Sequence, residues 1–157
     1  MKNLRTAVLC ASIALCSLGS FAQNKTIPVN EPDRNKPRLF ANLPDKIPVS
    51  ANELNDLFTT QVGRPANLNP ASDLQAKFEG EVISMSNQST QGVQSILIRS
   101  TNFNGARMSF SKITHEDGTV SYTGRIISFQ HGDLYELQSQ QGQLVLVKRN
   151  FYDLVNE

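Results

Sequence analysis

The chain predicts a mainly β (α+β) domain: one N-terminal helix packed on a six-stranded antiparallel meander, with the sheet strongly curled or forming an open barrel. Three observations predict it. Glycines at 92, 105, 118, 132 and 142 each follow a polar residue, at spacings of 13, 13, 14 and 10, the length of a strand plus a tight turn. All seven prolines lie at or before Pro70, so none interrupts a hydrogen-bonded ladder after it. Between the glycines, apolar and polar residues alternate, and a period of two sorts them onto opposite faces of a sheet.

The helix starts the domain. Ser50 and Glu53 match a capping box, in which each side chain accepts the other residue's backbone N–H. Val49 and Leu54 are spaced as a hydrophobic staple across that cap. Leu54, Leu57, Phe58 and Val62 then share one helical face, and Gly63 with Pro65 ends the run. The stripe is narrow, so the helix is expected to cover one face of the sheet.

Six strands follow. The first spans 77–86, with Phe78, Val82, Ile83 and Met85, and Gly80 marks an expected bulge. The second spans 93–101, with Ile96 and Ile98 on one face and Val93 and Leu97 on the other. The third and fourth occupy 105–129 around Asp117-Gly118, a pair favoured in type I′ hairpin turns. There Ala106, Met108 and Phe110 oppose Arg107, Ser109 and Ser111; Val120, Tyr122 and Ile126 likewise oppose Ser121, Thr123 and Arg125. The fifth spans 134–139. The sixth, 144–149, is apolar on both faces, through Leu144 and Leu146 and through Val145 and Val147, and is expected to be covered on both. A short edge strand near Leu68 is a further candidate. Tight connections make successive strands antiparallel neighbours, and six twisted strands curl.

The 157 residues fit one domain behind a leader. Residues 1–22 read as an export signal: Lys2 and Arg5, an apolar run over 7–18, then small residues Ser20 and Ala22 before a cut ahead of Gln23. The run is shorter than the roughly 20 apolar residues that span a bilayer. A lipid-bearing Cys16 is the rival reading, and Leu15 disfavours it because lipoprotein signals place a small residue there. Export would take the chain to the periplasm or beyond. Both cysteines, Cys10 and Cys16, fall in the leader, so no disulfide, thiolate nucleophile or cysteine metal site is expected after cleavage. Residues 23–48 hold Pro28, Pro32, Pro37, Pro44 and Pro48 and read as a flexible or extended segment, most simply a disordered secretion tail and otherwise a spacer or a strand that a partner grips, that docks Leu39, Phe40 and Leu43 near its end. Residues 49–157 make the helix-plus-meander domain.

Without Lys2 and Arg5 the chain carries 13 basic and 14 acidic residues, with no basic run. That excludes strong nonspecific binding to nucleic acid or to an anionic bilayer. No phosphate-cradling glycine loop, HExxH, calcium loop or Gly-x-Ser-x-Gly elbow occurs. The two histidines, His115 and His131, each precede an acid by two residues, a pattern that a metal site, an acid–base pair or ordinary turn composition fits. A meander puts them in turns at opposite ends of a strand, so they are not expected to meet. Glu79 and Glu81 share one strand face, a spacing that carboxylate hydrolysis or plain surface charge both fit. Arg99, Arg107 and Arg125 fall on adjacent strands; they are candidates to contact an anion or partner, or to pair with Glu79, Glu81 or Glu136. Tyr122, Tyr135, Phe103 and Phe129 form either a ligand-facing patch or core. Asn24-Lys25-Thr26 and Asn87-Gln88-Ser89 match the glycosylation sequon.

These residues carry no catalytic constellation, and no cofactor or metal is expected. The expected function is an exported, non-enzymatic binding domain for a protein or cell-envelope partner, of inhibitor or prodomain type, in which an exposed edge takes up an added strand. A carrier holding a small apolar ligand in the curled sheet is the alternative. A small carboxylate-based hydrolase comes third.

Overall fold

The computed structural model describes residues 35–70, 76–88 and 92–154. Residues 1–22, read above as an export signal, and residues 23–34 lie outside them. Among the described residues there are eight strands: β1 (Lys46–Val49), β2 (Pro65–Leu68), β3 (Phe78–Gln88), β4 (Val93–Ser100), β5 (Arg107–Thr114), β6 (Val120–Ile127), β7 (Asp133–Gln140) and β8 (Gln143–Asn150). One helix, α1 (Ala51–Phe58), joins β1 to β2, and a 3₁₀ turn, Phe151–Leu154, follows β8. All eight strands form one antiparallel sheet, ordered β1-β8-β7-β6-β5-β4-β3-β2 and curled into a half-barrel.

The meander from β3 to β8 is the expected one, but the strand count is eight rather than six. The two additional strands, β1 and β2, are the two edges, and each contains a proline, Pro48 and Pro65. Proline is barred from a central ladder because it lacks an N–H, but not from an edge whose N–H side faces away from the neighbour. In β1 that condition holds. Lys148 N–H donates to Asp45 O (2.8 Å), so odd-numbered residues of β1 bond β8 and Pro48 turns its missing donor outward. In β2, Val82 N–H donates to Arg64 O (3.0 Å), so even-numbered residues bond β3 and Pro65 likewise faces out.

Alternation fills the inner face. Ile47, Leu146, Leu137, Tyr135, Ile126, Met108, Phe110, Ile96, Ile98, Val82, Phe78 and Leu68 are all buried in one core. On β8 the outer-facing Val145 and Val147 are buried too, beside Pro48 and Gln138 and beside Lys46 and Glu136 in the flanking strands.

The two ends of the half-barrel close differently. At one end the chain before β1 folds in as a plug. Phe40 is fully buried among Phe78, Phe103 and Tyr135, with ring centroids 5.2–6.2 Å apart. The buried Asp133 carboxylate accepts Leu39 N–H (2.7 Å) and Phe40 N–H (2.9 Å). Tyr135 Oη donates to Pro44 O, and Lys148 Nζ to Leu43 O. At the other end α1 crosses the opening and buries Leu54 and Leu57. Its capping box forms as expected: Ser50 Oγ accepts Glu53 N–H (3.2 Å) and Glu53 Oε2 accepts Ser50 N–H (2.6 Å). Tyr122 Oη on β6 donates to Asn55 Oδ1 (2.9 Å), tying helix to sheet.

Three local expectations change. The helix stops at Phe58, and Val62 is 58 % exposed rather than on its apolar face. The hydroxyls of Thr59 and Thr60 donate to Asp56 O, which competes with a further helical turn. The bulge in β3 falls between Val82 and Ser84, not at Gly80. The Asp117-Gly118 turn is not type I′, because only Gly118 has positive φ (81°); Gly118 N–H donates to His115 O and His115 N–H to Thr119 O, the pattern of a three-residue loop closed by a glycine bulge. The two-residue I′ geometry occurs instead at Gln141-Gly142, with φ of 53° and 81°.

Candidate functional site

An antiparallel sheet offers partners its unpaired backbone, and here the supply of it is uneven. The phase of each ladder follows from bonds at its ends. Ser100 N–H donates to Ala106 O (3.0 Å) and Thr114 N–H to Gly92 O (2.8 Å), so even-numbered residues of β4 bond β5 and odd-numbered ones bond β3. Beyond the bulge, Ser84 opposes Leu97 and Ser86 opposes Ser95. Ser84 and Ser86 therefore bond β4, and the backbone groups of Met85 and Asn87 point the other way.

Among the described residues nothing covers them. The β2 ladder on that side ends at Glu81, extended one residue by Gly63 N–H to Val82 O (2.8 Å). Among the described residues, no hydrogen bond reaches the outward backbone of residues 83–87. Ser84, Ser86 and Asn87 are exposed and Met85 is half-buried. This tip has no proline, and no charged residue occurs from Val82 to Ile98. Natural edges are ordinarily blunted by proline, lysine or cover. The edges at β1 and β2 are so blunted, by Pro48 and Pro65 with exposed Lys46 and Arg64 beside them. The β3 tip is not.

A second break lies inside the sheet. β6 and β7 share three register pairs, ending at Arg125↔Glu136, against eight in each flanking ladder. Past Arg125 the ladder stops, and a cavity of about 390 Å³ opens there, lined by Ser109, Ser111, Thr123, Gly124, Arg125, Glu136 and Leu137. Gly124 permits this wall, since a Cβ there would overlap the Phe110 ring lying across it. Glu136 ties the rim. It accepts Arg125 Nη2 (3.0 Å) and Gln138 Nε2 (3.1 Å) and lies 4.0 Å from Arg149 Nε. Partial burial pushes its carboxyl up, but the Gln138 amide, the Arg125 hydrogen bond and the charges of Arg125 and Arg149 outweigh it and hold the group below the usual glutamate range.

The other residues singled out in the sequence separate. Arg99 and Arg107 lie directly opposite each other on the outer face; Arg125 opposes Ser109 one row away. Arg99 pairs with Glu81 (3.0 Å) and Arg125 with Glu136 (3.0 Å), whereas Arg107 has no ion pair among the described residues. His115 and His131 sit in the turns at the two ends of β6, whose eight residues extend about 26 Å. His115 Nε2 meets Ser121 Oγ (2.8 Å) and His131 Nδ1 meets Ser128 Oγ (2.7 Å). Beside His115, the Thr119 hydroxyl and then the Thr119 N–H hold the Asp117 carboxyl below its ordinary value. Glu79 and Glu81 are on the outer face, and Glu81 is taken by Arg99. Of the four aromatics, Tyr135 and Phe103 join the plug, Tyr122 holds the helix, and Phe129 is 64 % exposed.

The sequence singled out Met85 only as a strand residue and Asn87 only as a sequon, and did not mark the β3 tip as a site. Its signal is the absence of charge from Val82 to Ile98, which a search for reactive side chains passes over. Comparison with protein-family models, with curated proteins and with solved structures gave no match.

Proposed function

We propose that this protein is an exported, non-catalytic binding module that takes up an extended segment of a protein or cell-envelope partner along the tip of β3. The observation that carries the reading is the contrast between edges: β1 and β2 each present a proline outward, while the β3 tip presents the backbone of Met85 and Asn87 with neither proline nor charge. An added strand would gain main-chain hydrogen bonds from Met85 and Asn87, with Ser84 and Ser86 on one side and Met85 on the other available to its side chains. The leader at 1–22 supports export. The interior supports this reading over an apolar-ligand carrier, because Phe40, Phe78, Phe103 and Tyr135 fill the closed end and the cavity at the β6–β7 split is rimmed by hydroxyls and an ion pair.

The test is affinity capture from native periplasm or medium with the full chain, expressed with its leader and tagged at the C-terminus, beside an Asn87→Pro variant. Asn87 N–H points out of the sheet, so proline there removes an outward donor and no internal bond. The reading expects a protein or envelope component retained by the wild type and lost by the variant. A partner held equally by both, or a small molecule as the sole companion, contradicts it.

A further inference from the structure

The plugged end carries a surface that the β3 tip does not explain. Phe129 is 64 % exposed, the most exposed large apolar side chain among the described residues. Its ring is backed edge-on by Phe151 (6.0 Å, 78°), so it is held in place rather than free in solvent. A lysine lies against it. Lys36 Nζ donates to Phe129 O (2.9 Å) and stands 5.2 Å over the Phe151 ring. Across the strands, one outer-face row runs Glu81, Arg99, Arg107, Ile127, Leu134, Arg149, and Phe129 follows Ile127 two residues on.

Two features of this row point to an anion. Arg99 and Arg107 are directly opposed, and like charges in that position destabilise a sheet. One carboxylate, Glu81, serves the pair by bonding Arg99, while Arg107 and Lys36 have no ion pair among the described residues. A carboxylate seated between Arg99 and Arg107 would relieve the repulsion and accept guanidinium hydrogen bonds. An apolar side chain next to it would cover Phe129 and Ile127 and exclude water from those bonds.

We infer that the Phe129–Arg107 surface binds an acidic segment of a protein partner, its carboxylate between Arg99 and Arg107 and an adjacent apolar side chain on Phe129. The inference goes beyond the strand-addition reading: the β3 tip lies at the opposite end of the sheet, so the domain would hold two segments at once.

The experiment is selection of a random peptide-display library on the full chain, followed by titration of the enriched peptides against wild type, Phe129→Ala, Arg107→Glu and Asn87→Pro. Phe129 and Arg107 are exposed, and thermal melts of their variants check that folding is intact. The expected result is enrichment of peptides combining Asp or Glu with a bulky apolar residue. Their affinity falls about tenfold or more, equal to about 1.4 kcal/mol, in both surface variants and is unchanged in Asn87→Pro. Rescue by Arg107→Lys should be partial, because an ammonium cannot donate bidentately. The inference is overturned by peptides lacking acids, by affinity that ignores both variants, by no enrichment, or by sedimentation with phosphatidylglycerol vesicles showing the same dependence on Phe129 and Arg107, which would make the occupant a lipid surface. Loss in Asn87→Pro alone would implicate the β3 tip and leave the strand-addition reading standing.

Discussion

The two ends of this half-barrel are built on opposite rules. At the plugged end, Asp133 satisfies two backbone N–H groups of the chain before β1, Tyr135 and Lys148 satisfy one carbonyl each, and Phe40 completes an aromatic core. At the far end of the sheet, the β3 tip leaves the backbone of Met85 and Asn87 bare, and the β6–β7 ladder stops after three pairs. Satisfied and unpaired backbone are therefore separated along the strands. Packing resists change at one end, and unpaired backbone stays available at the other.

The contrast can be broken most forcefully at the plug. Phe40→Ala removes a fully buried ring that touches three others and should cost about 3–5 kcal/mol in urea unfolding. A loss below about 1 kcal/mol would mean that the segment before β1 is not integral to the core. Asp133→Ala should cost about 3 kcal/mol, because it strands the buried Leu39 and Phe40 N–H groups. At the far end, proline should discriminate between adjacent residues. Ser86→Pro breaks a bond to β4 and should cost about 2 kcal/mol, whereas Asn87→Pro should stay within about 1 kcal/mol of wild type. Equal losses would show that the ladder phase is wrong.

The smallest effect is the acid limb at the split. Glu136 has a folded pKa below its unfolded one, so the folded state binds fewer protons there. The stability it contributes is present above the unfolded glutamate pKa and is lost as pH falls through the folded one. Glu136→Gln should lower stability by about 0.5 kcal/mol at neutral pH and flatten the decline on acidification. An unchanged acid limb would mean that Arg125, Gln138 and Arg149 do not hold the carboxylate in solution.

Much of this was legible in residue order. The alternation of Ala106, Met108 and Phe110, the turn glycines and the Ser50–Glu53 box led to β3–β8 and α1, because each signal is local. Of the edge strands, β2 was legible as a candidate near Leu68, but β1 was not, because Pro48 argues against a strand unless its neighbours are known, and edge position is a property of the whole sheet. The docking of Leu39, Phe40 and Leu43 was expected from their apolarity, but the partners that hold them, Asp133 and Lys148, lie some 90 residues away or more and have no local signature. For the same reason Arg99, Arg107 and Arg125 could be named as a set but not divided into paired and unpaired members without the register.

Amide hydrogen exchange along β3, read residue by residue in the free chain and with its captured partner, addresses the bare edge most directly. In the free chain, Ser84 and Ser86 amides should exchange slowly and Met85 and Asn87 amides fast, and partner binding should slow the latter two selectively. Met85 and Asn87 amides already slow in the free chain, or still fast in the complex, would contradict docking at this edge.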